Sequence, residues 1–230
     1  MQGTITTGCS SLDGLLDGGL PADGVALVYG EAETGKTSLA IQCAVYCARK
    51  GYKTLFVDSD STFSTHRLSQ IAYRDFEKIS PNIILMIPTT LKEQGQVIGH
   101  LDEYISKKFS LVIVDTVTSL YRVELGGAEE NFKLNRELNR QVASLAQIAK
   151  TEKVAVLITS QVRSVFSVRH VSIEPVATRT LKFWSDVVLN LEHTGQTRVL
   201  KATLTKHPRR RRPASCYVTI ERTGIQDYGH

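Results

Sequence analysis

Val28-Tyr29-Gly30-Glu31-Ala32-Glu33-Thr34-Gly35-Lys36-Thr37-Ser38-Leu39-Ala40-Ile41-Gln42 decides how the rest of the chain is read. Gly30 to Thr37 fits a glycine, four residues, then Gly-Lys-Thr. The spacing has a physical basis. Glycines let successive backbone N–H groups turn inward onto phosphate oxygens, and the helix that follows adds the positive end of its dipole. An apolar run, Val25–Tyr29, precedes the loop and a helical pattern, Thr37–Arg49, follows it, which is the context the motif requires. Gly30, Glu31, Ala32, Glu33, Thr34, Gly35 and Ser38 are therefore expected to wrap a triphosphate. Lys36 would reach the β and γ phosphates, and the Thr37 hydroxyl would ligate Mg²⁺. Two acids sit badly beside a polyanion, so Glu33 is expected to point to solvent.

Outward from this loop, short aliphatic runs alternate with longer helical patterns. Val25–Tyr29, Thr54–Val57, Ile83–Ile87, Leu111–Val114 and Val154–Thr159 read as buried parallel strands. Thr37–Arg49, Thr65–Phe76, Leu91–Lys107 and Lys133–Lys150 read as helices. In the last, Leu134, Leu138, Val142, Leu145 and Ile148 form one apolar stripe. After Ser185 the rhythm changes: Asp186–Leu191, Thr197–Thr205 and Tyr217–Glu221 read as antiparallel strands joined by short turns such as His193-Thr194-Gly195-Gln196. The fold class is thus α/β, a mainly parallel sheet flanked by helices with an antiparallel carboxyl-terminal extension, in one domain over residues 1–230. Val123–Asn131 and Arg163–Arg179 carry little secondary-structure signal. Both follow parallel strands, so both should hang over the sheet's carboxyl edge, where open α/β sheets bind ligands.

Composition excludes several classes. The 42% apolar and 22% charged content suits a globular domain rather than a disordered chain. No apolar run approaches the roughly 18–20 residues of a membrane span, and no basic-then-apolar leader opens the chain, so a cytoplasmic, membrane-free protein is expected. The four cysteines form no Cys-x-x-Cys and read as reduced thiols. Lys206, Arg209, Arg210, Arg211 and Arg212 supply the whole positive excess: without them 23 basic residues face 23 acidic ones. Such a run fits a solvated surface or a polyanion, either nucleic acid or a neighbouring subunit's phosphates.

Asp115 ends the apolar strand Leu111–Val114, and holding the magnesium water shell is its natural role, because an unpaired charge there is costly. Gln161, at the end of the next strand, is placed to sense a γ-phosphate.

These elements, with Thr7-Gly8-Cys9-Ser10-Ser11-Leu12-Asp13, Leu16-Asp17-Gly18-Gly19-Leu20 and Phe56-Val57-Asp58-Ser59-Asp60-Ser61-Thr62-Phe63, resemble the RecA/Rad51 recombinase superfamily in order and over nearly the whole chain. The chain opens almost directly on the ATPase core, and Glu174–Leu181 leads into Ser185–Leu189. In both respects it is most similar to the short archaeal paralogues that lack the amino-terminal domain and polymerisation linker. The resemblance implies a RecA-like P-loop NTPase core that binds ATP and Mg²⁺. It assigns Lys36, Asp60 and Gln161 to catalysis, Asp115 to the metal, and Arg67 to packing on the adenine. It makes Val123–Asn131 and Arg163–Arg179 two DNA-facing loops, the second with Arg163, Phe166, Arg169, His170 and Arg179. Lys206, His207 and Arg209 match a trans-acting cluster at a subunit boundary, an alternative to DNA contact for the arginine tract.

Asp60 stands where the superfamily carries a glutamate, and a water-activating carboxylate displaced by about 1 Å can cost on the order of 10²-fold in rate. Weak ATPase activity is therefore expected. The implied function is an ATP- and DNA-binding accessory protein of homologous recombination and DNA repair, acting on single-stranded DNA and on the main RadA-like recombinase, with a possible homo-oligomer through the ATP interface. Two alternatives stay open: an active DNA-dependent ATPase that performs strand exchange, and a KaiC-like signalling ATPase without a DNA role.

Overall fold

The computed structural model describes residues 3–166, 171–210 and 212–229, with side chains omitted over 163–175. Six parallel strands carry the fold: β3 (Val25–Gly30), β4 (Lys53–Asp58), β5 (Ile83–Met86), β6 (Phe109–Asp115), β7 (Ala155–Ser160) and β10 (Val187–His193). Every residue of β3, β6 and β7 is buried, as strands covered on both faces must be. Alternation divides them between two cores. Ala26 and Val28 face one layer, whereas Val25, Leu27 and Tyr29 face the other.

The first layer holds α1 (Ser10–Leu15), α2 (Lys36–Arg49), α3 (Thr65–Ala72) and α4 (Phe76–Ile79). The second holds α5 (Leu91–Gly99), α6 (Leu101–Tyr104), α7 (Ser119–Val123), α8 (Ala128–Glu152) and α9 (Thr178–Trp184). The apolar stripe predicted for α8 is buried through Leu138, Val142, Leu145 and Ile148. Trp184, the sole tryptophan, closes α9, and its indole N–H donates to Asn139 of α8 over 3.0 Å.

With β11 (Val199–Lys206), β12 (Ala214–Glu221) and β13 (Gly224–Asp227), the sheet has nine strands in the order β13-β12-β11-β10-β3-β7-β6-β4-β5. β11 to β13 pair antiparallel, so the expected extension continues the same sheet. The chain from β3 to β4 crosses over β7 and β6, which opens a crevice beyond the carboxyl ends of β3, β6 and β7.

Several sequence expectations are corrected. Thr65–Phe76 is not one helix: α3 stops at Ala72, Tyr73–Asp75 forms a 3₁₀ turn, and Tyr73 at φ 52° breaks the helical path. Leu91–Lys107 divides at Gly99 and His100 into α5 and α6. α8 begins at Ala128, five residues before Lys133, so most of the expected first loop is short and helix-bounded. The described residues of Arg163–Arg179 carry regular structure, as the antiparallel pair β8 (Val162–Phe166) and β9 (Val171–Pro175) followed by the start of α9.

The amino-terminal signature is structural. Asp13 accepts from the Thr7 N–H and the Thr7 hydroxyl, both at 2.7 Å, and from the Thr6 hydroxyl. This ties α1 beneath β1 (Thr4–Ile5), which pairs with β2 (Leu20–Pro21). Cys9, Cys43 and Cys47 are buried free thiols, and Cys216 is half-buried. Among the described residues no helix is long and apolar enough to cross a membrane.

Candidate nucleotide site

The phosphate loop joins β3 to α2, and backbone geometry explains its composition. Gly35 caps α2 at φ 77°, and a Cβ there would lie 2.8 Å from the Ile220 side chain. At Gly30 a Cβ would meet the Leu191 carbonyl oxygen at 2.3 Å, because β10 runs directly alongside. Only glycine serves at either point. Lys36 turns back over the loop and its ammonium donates to the carbonyls of Gly30 at 2.9 Å and Glu31 at 2.5 Å. Burial depresses the Lys36 pKa, against the opposing charges of Asp115, Asp60 and Glu31. The lysine therefore sits desolvated and held by main-chain carbonyls that a phosphate could replace.

Asp115 at the end of β6 is fully buried, and burial raises its pKa. The Thr159 hydroxyl donates to its Oδ1. Thr37 lies near enough to favour the ionised form without meeting hydrogen-bond geometry, and Asp115 Oδ2 has no hydrogen-bond partner. A buried carboxylate oxygen without a donor, beside a hydroxyl at the start of α2, fits a hydrated divalent cation.

Asp60 follows β4 on a turn shaped by Asp58, whose carboxylate accepts from the N–H groups of Thr62 at 3.1 Å and Phe63 at 2.9 Å. The Asp60 carboxylate accepts from the Ser119 hydroxyl at 2.5 Å and from the Gln161 amide at 3.2 Å. Arg122 in turn donates to the Gln161 Oε1. Ala32, Glu33, Lys36, Thr37, Asp60, Thr116, Arg122 and Gln161 line one cleft of about 450 Å³. The residues expected for catalysis and phosphate binding thus converge. Glu33 is exposed as expected, but it stands on the rim of this cleft rather than away from it.

Arg67 lies at the other end of the loop. Its guanidinium donates to Ser38 Oγ at 3.1 Å, Glu221 O at 3.0 Å and Arg222 O at 2.9 Å, and burial lowers its pKa. It is a fixed planar cation beside α2, already committed to the β12–β13 turn.

The expected DNA-facing residues are placed less fully. Arg163 and Phe166 lie on β8 with their side chains outside the described residues, as do Arg169, His170 and Arg211 entirely. Arg179 is exposed on α9. The basic tract lies elsewhere. Lys206 pairs with Val188 near the start of β10, whereas Leu191, further along, pairs with Gly30, so the tract sits at the amino edge of the sheet, away from the cleft. Arg209 bonds Asp17 at 2.8 Å, Arg210 donates to Gly14 O at 3.1 Å, and Lys206 donates to Lys182 O at 2.8 Å. His207 bridges to Arg210, and Arg212 is exposed. Ser119 and Arg122 escape sequence reasoning, since only the fold brings a turn of α7 against Asp60 and Gln161.

Comparison with known proteins places this geometry. A Rad51 family model matches residues 3–228. A DNA repair and recombination protein RadB from Thermococcus gammatolerans is 36% identical over 227 residues, covering 97% of this chain and 98% of that protein. The chain belongs to the RadB group of the Rad51 family. A RadB protein from Methanococcoides burtonii is 32% identical over 222 residues, 96% of this chain and 97% of its own. The crystal structure of a RadB recombinase matches 98% of this chain and all of that chain with a TM-score of 0.84 at 34% identity. The RecA-like architecture read from the sequence is the RadB architecture.

Proposed function

We propose that this RadB-group protein is an ATP- and DNA-binding accessory factor of homologous recombination and DNA repair, in which nucleotide acts mainly as a conformational ligand. The observation that carries the reading is the cleft itself: Lys36, Thr37, Asp60 and Gln161 line it beside a glycine-bounded loop, with the buried Asp115 carboxylate close to Lys36 and Thr37. Lys36 and the loop amides would hold the triphosphate, and Thr37 and Asp115 would hold Mg²⁺. The bound cation supplies charge neutralisation at the β and γ phosphates. This chain's own contribution to hydrolysis is small, because Asp60 is both short and already engaged by Ser119 and Gln161. The recombination role rests on relatives named DNA repair and recombination proteins.

Single-stranded DNA would meet the β8–β9 hairpin and the turn before α8, both beyond the carboxyl edge. The tract of Lys206, His207, Arg209, Arg210 and Arg212 lies at the opposite edge. That separation favours contact with a neighbouring subunit's phosphates over contact with the same DNA. A main recombinase of the RadA type is the protein partner this reading implies.

Calorimetry with MgATP and fluorescence titration of an oligo-dT strand, on wild type and Lys36→Ala, test the proposal. Saturable MgATP binding that Lys36→Ala weakens by roughly 30-fold or more, with a turnover far below the enzyme median of about 10 s⁻¹, is the expected outcome. Absence of MgATP binding by the wild type overturns the reading. Turnover near that median overturns its conformational-ligand part.

A further inference from the structure

Serine at 119 and arginine at 122 are three apart, so they project from one face of α7, a helix of a single short turn and a half. That face meets both polar groups of the cleft at once. The Ser119 hydroxyl donates to Asp60 Oδ1 at 2.5 Å, and the Arg122 guanidinium donates to Gln161 Oε1. Gln161 closes the chain by donating to Asp60 Oδ2 at 3.2 Å. The turn after β4, the end of β7 and α7 are thus linked by one run of side-chain hydrogen bonds, in which Asp60, Arg122 and Gln161 line the cleft.

The other end of α7 leads straight into Val123 to Gly127, before α8. Val123 is 81% exposed, Leu125 43% and Phe132, one turn into α8, 71%. These apolar groups stand free on the carboxyl edge, where a nucleic-acid base could cover them. α7 is otherwise anchored by buried Tyr121, whose hydroxyl donates to Asn135 at 3.0 Å, and by Leu120, which packs against the second core.

We infer that Arg122 is a positioning residue that couples this first loop to the nucleotide cleft, with α7 as the moving part. Resting on the nucleotide reading above, the inference adds a second route between the two ligands, separate from the β8–β9 hairpin that follows Gln161. In the state described, Arg122 holds the Gln161 carbonyl while the amide of Gln161 is spent on Asp60. A γ-phosphate that draws Gln161 away must break or redirect the Arg122 contact and so shift α7. Base contacts that move α7 must do the same in reverse, since coupling between two binding sites is reciprocal.

The test is the affinity of a fluorescent oligo-dT strand, measured with and without MgATP, for wild type, Arg122→Ala, Arg122→Lys and Arg122→Met. The ratio of the two dissociation constants is the readout. Loss of the Arg122 charge as a mere DNA contact weakens both affinities equally and leaves the ratio unchanged. Couplings of this kind are typically about 5–150-fold. The expected result is a wild-type ratio in that range, a ratio close to one for Arg122→Ala, and partial recovery in Arg122→Lys. A wild-type ratio in that range that Arg122→Ala preserves overturns the inference. So does a wild type that binds both ligands with a ratio of one, although it leaves the nucleotide reading standing. A wild type that binds no MgATP overturns both. Should Arg122→Ala fail to fold by circular dichroism, Arg122→Met, which keeps the stem and deletes the donor to Gln161, decides: an unchanged ratio there overturns the inference.

Discussion

The cleft at the carboxyl edge and the arginine tract at the amino edge are both rich in charge, yet they are built in opposite ways. In the cleft, Lys36 and Asp115 are buried, each held by neighbours that the backbone fixes. In the tract, Arg209, Arg210 and Arg212 are exposed, and the ion pair that pins Arg209 to Asp17 is itself open to water. Buried charge costs free energy that protein partners or a ligand must offset, so a buried charged group with an unpaired oxygen beside a cleft points to a ligand. Exposed charge costs almost nothing, so its function depends on what comes to meet it. Positive charge therefore carries very different information at the two edges.

Breaking the cleft should give the largest effect. Removing one side of a desolvated charged contact costs about 2–5 kcal/mol, so Lys36→Ala should weaken MgATP binding by roughly 30-fold or more by calorimetry. Alanine at Arg209–Arg212 should leave that affinity unchanged. A comparable loss in the tract variant would erase the distinction between the edges.

Asp115→Asn sharpens it from the side of stability. Burial raises the Asp115 pKa above the ordinary 3.8. The folded state therefore binds more protons than the unfolded one between 3.8 and the higher native value, and stability falls as pH rises through that window. Asparagine removes this loss while still accepting from Thr159. At neutral pH and without metal, the variant should melt at a higher temperature by scanning calorimetry. Its Mg²⁺-dependent nucleotide binding should vanish. An unchanged or lower Tm would show that Asp115 is not a strained group.

A smaller effect is expected from the tract. If the arginines meet a neighbour's phosphates, the Arg209–Arg212 alanine block should reduce self-association in the ultracentrifuge. The salt slope of oligo-dT binding, about 0.7 per phosphate contact on a single strand, should stay unchanged. A flatter slope with unchanged self-association would move the tract to the DNA side. Smallest of all, Asp17→Asn, which keeps a residue suited to the left-handed backbone at φ 59° but removes the charge, should leave the melting curve where it is, because both partners of the pair are exposed.

Legibility in the sequence follows the same division. The parallel strands were legible because β3, β6 and β7 are continuously apolar, and the phosphate loop because its spacing is dictated by main-chain geometry. The β8–β9 hairpin was not. Arg163, Ser164, Ser172 and Glu174 interrupt its apolar residues, and its strands pair only with each other, outside the main sheet. The first three residues of β12, Ala214 to Cys216, carry no strand signal because they alternate half-buried and exposed small residues. The breaks at Tyr73 and His100 were hidden inside patterns that remain helical on both sides. Within the cleft, Lys36, Thr37 and Asp115 belong to linear motifs. Arg122 and Gln161 are 39 positions apart and acquire meaning only when α7 folds back beside β7.

Trp184 sits where α9 meets α8, nine positions after the end of β9. Being the chain's single indole, with one edge bonded to Asn139 and the neighbouring Phe183 ring 5.0 Å away, it gives the molecule an intrinsic optical reporter at the root of the hairpin. Emission colour and quenching by iodide or acrylamide can therefore follow that root during titrations, without dye, label or engineered cysteine.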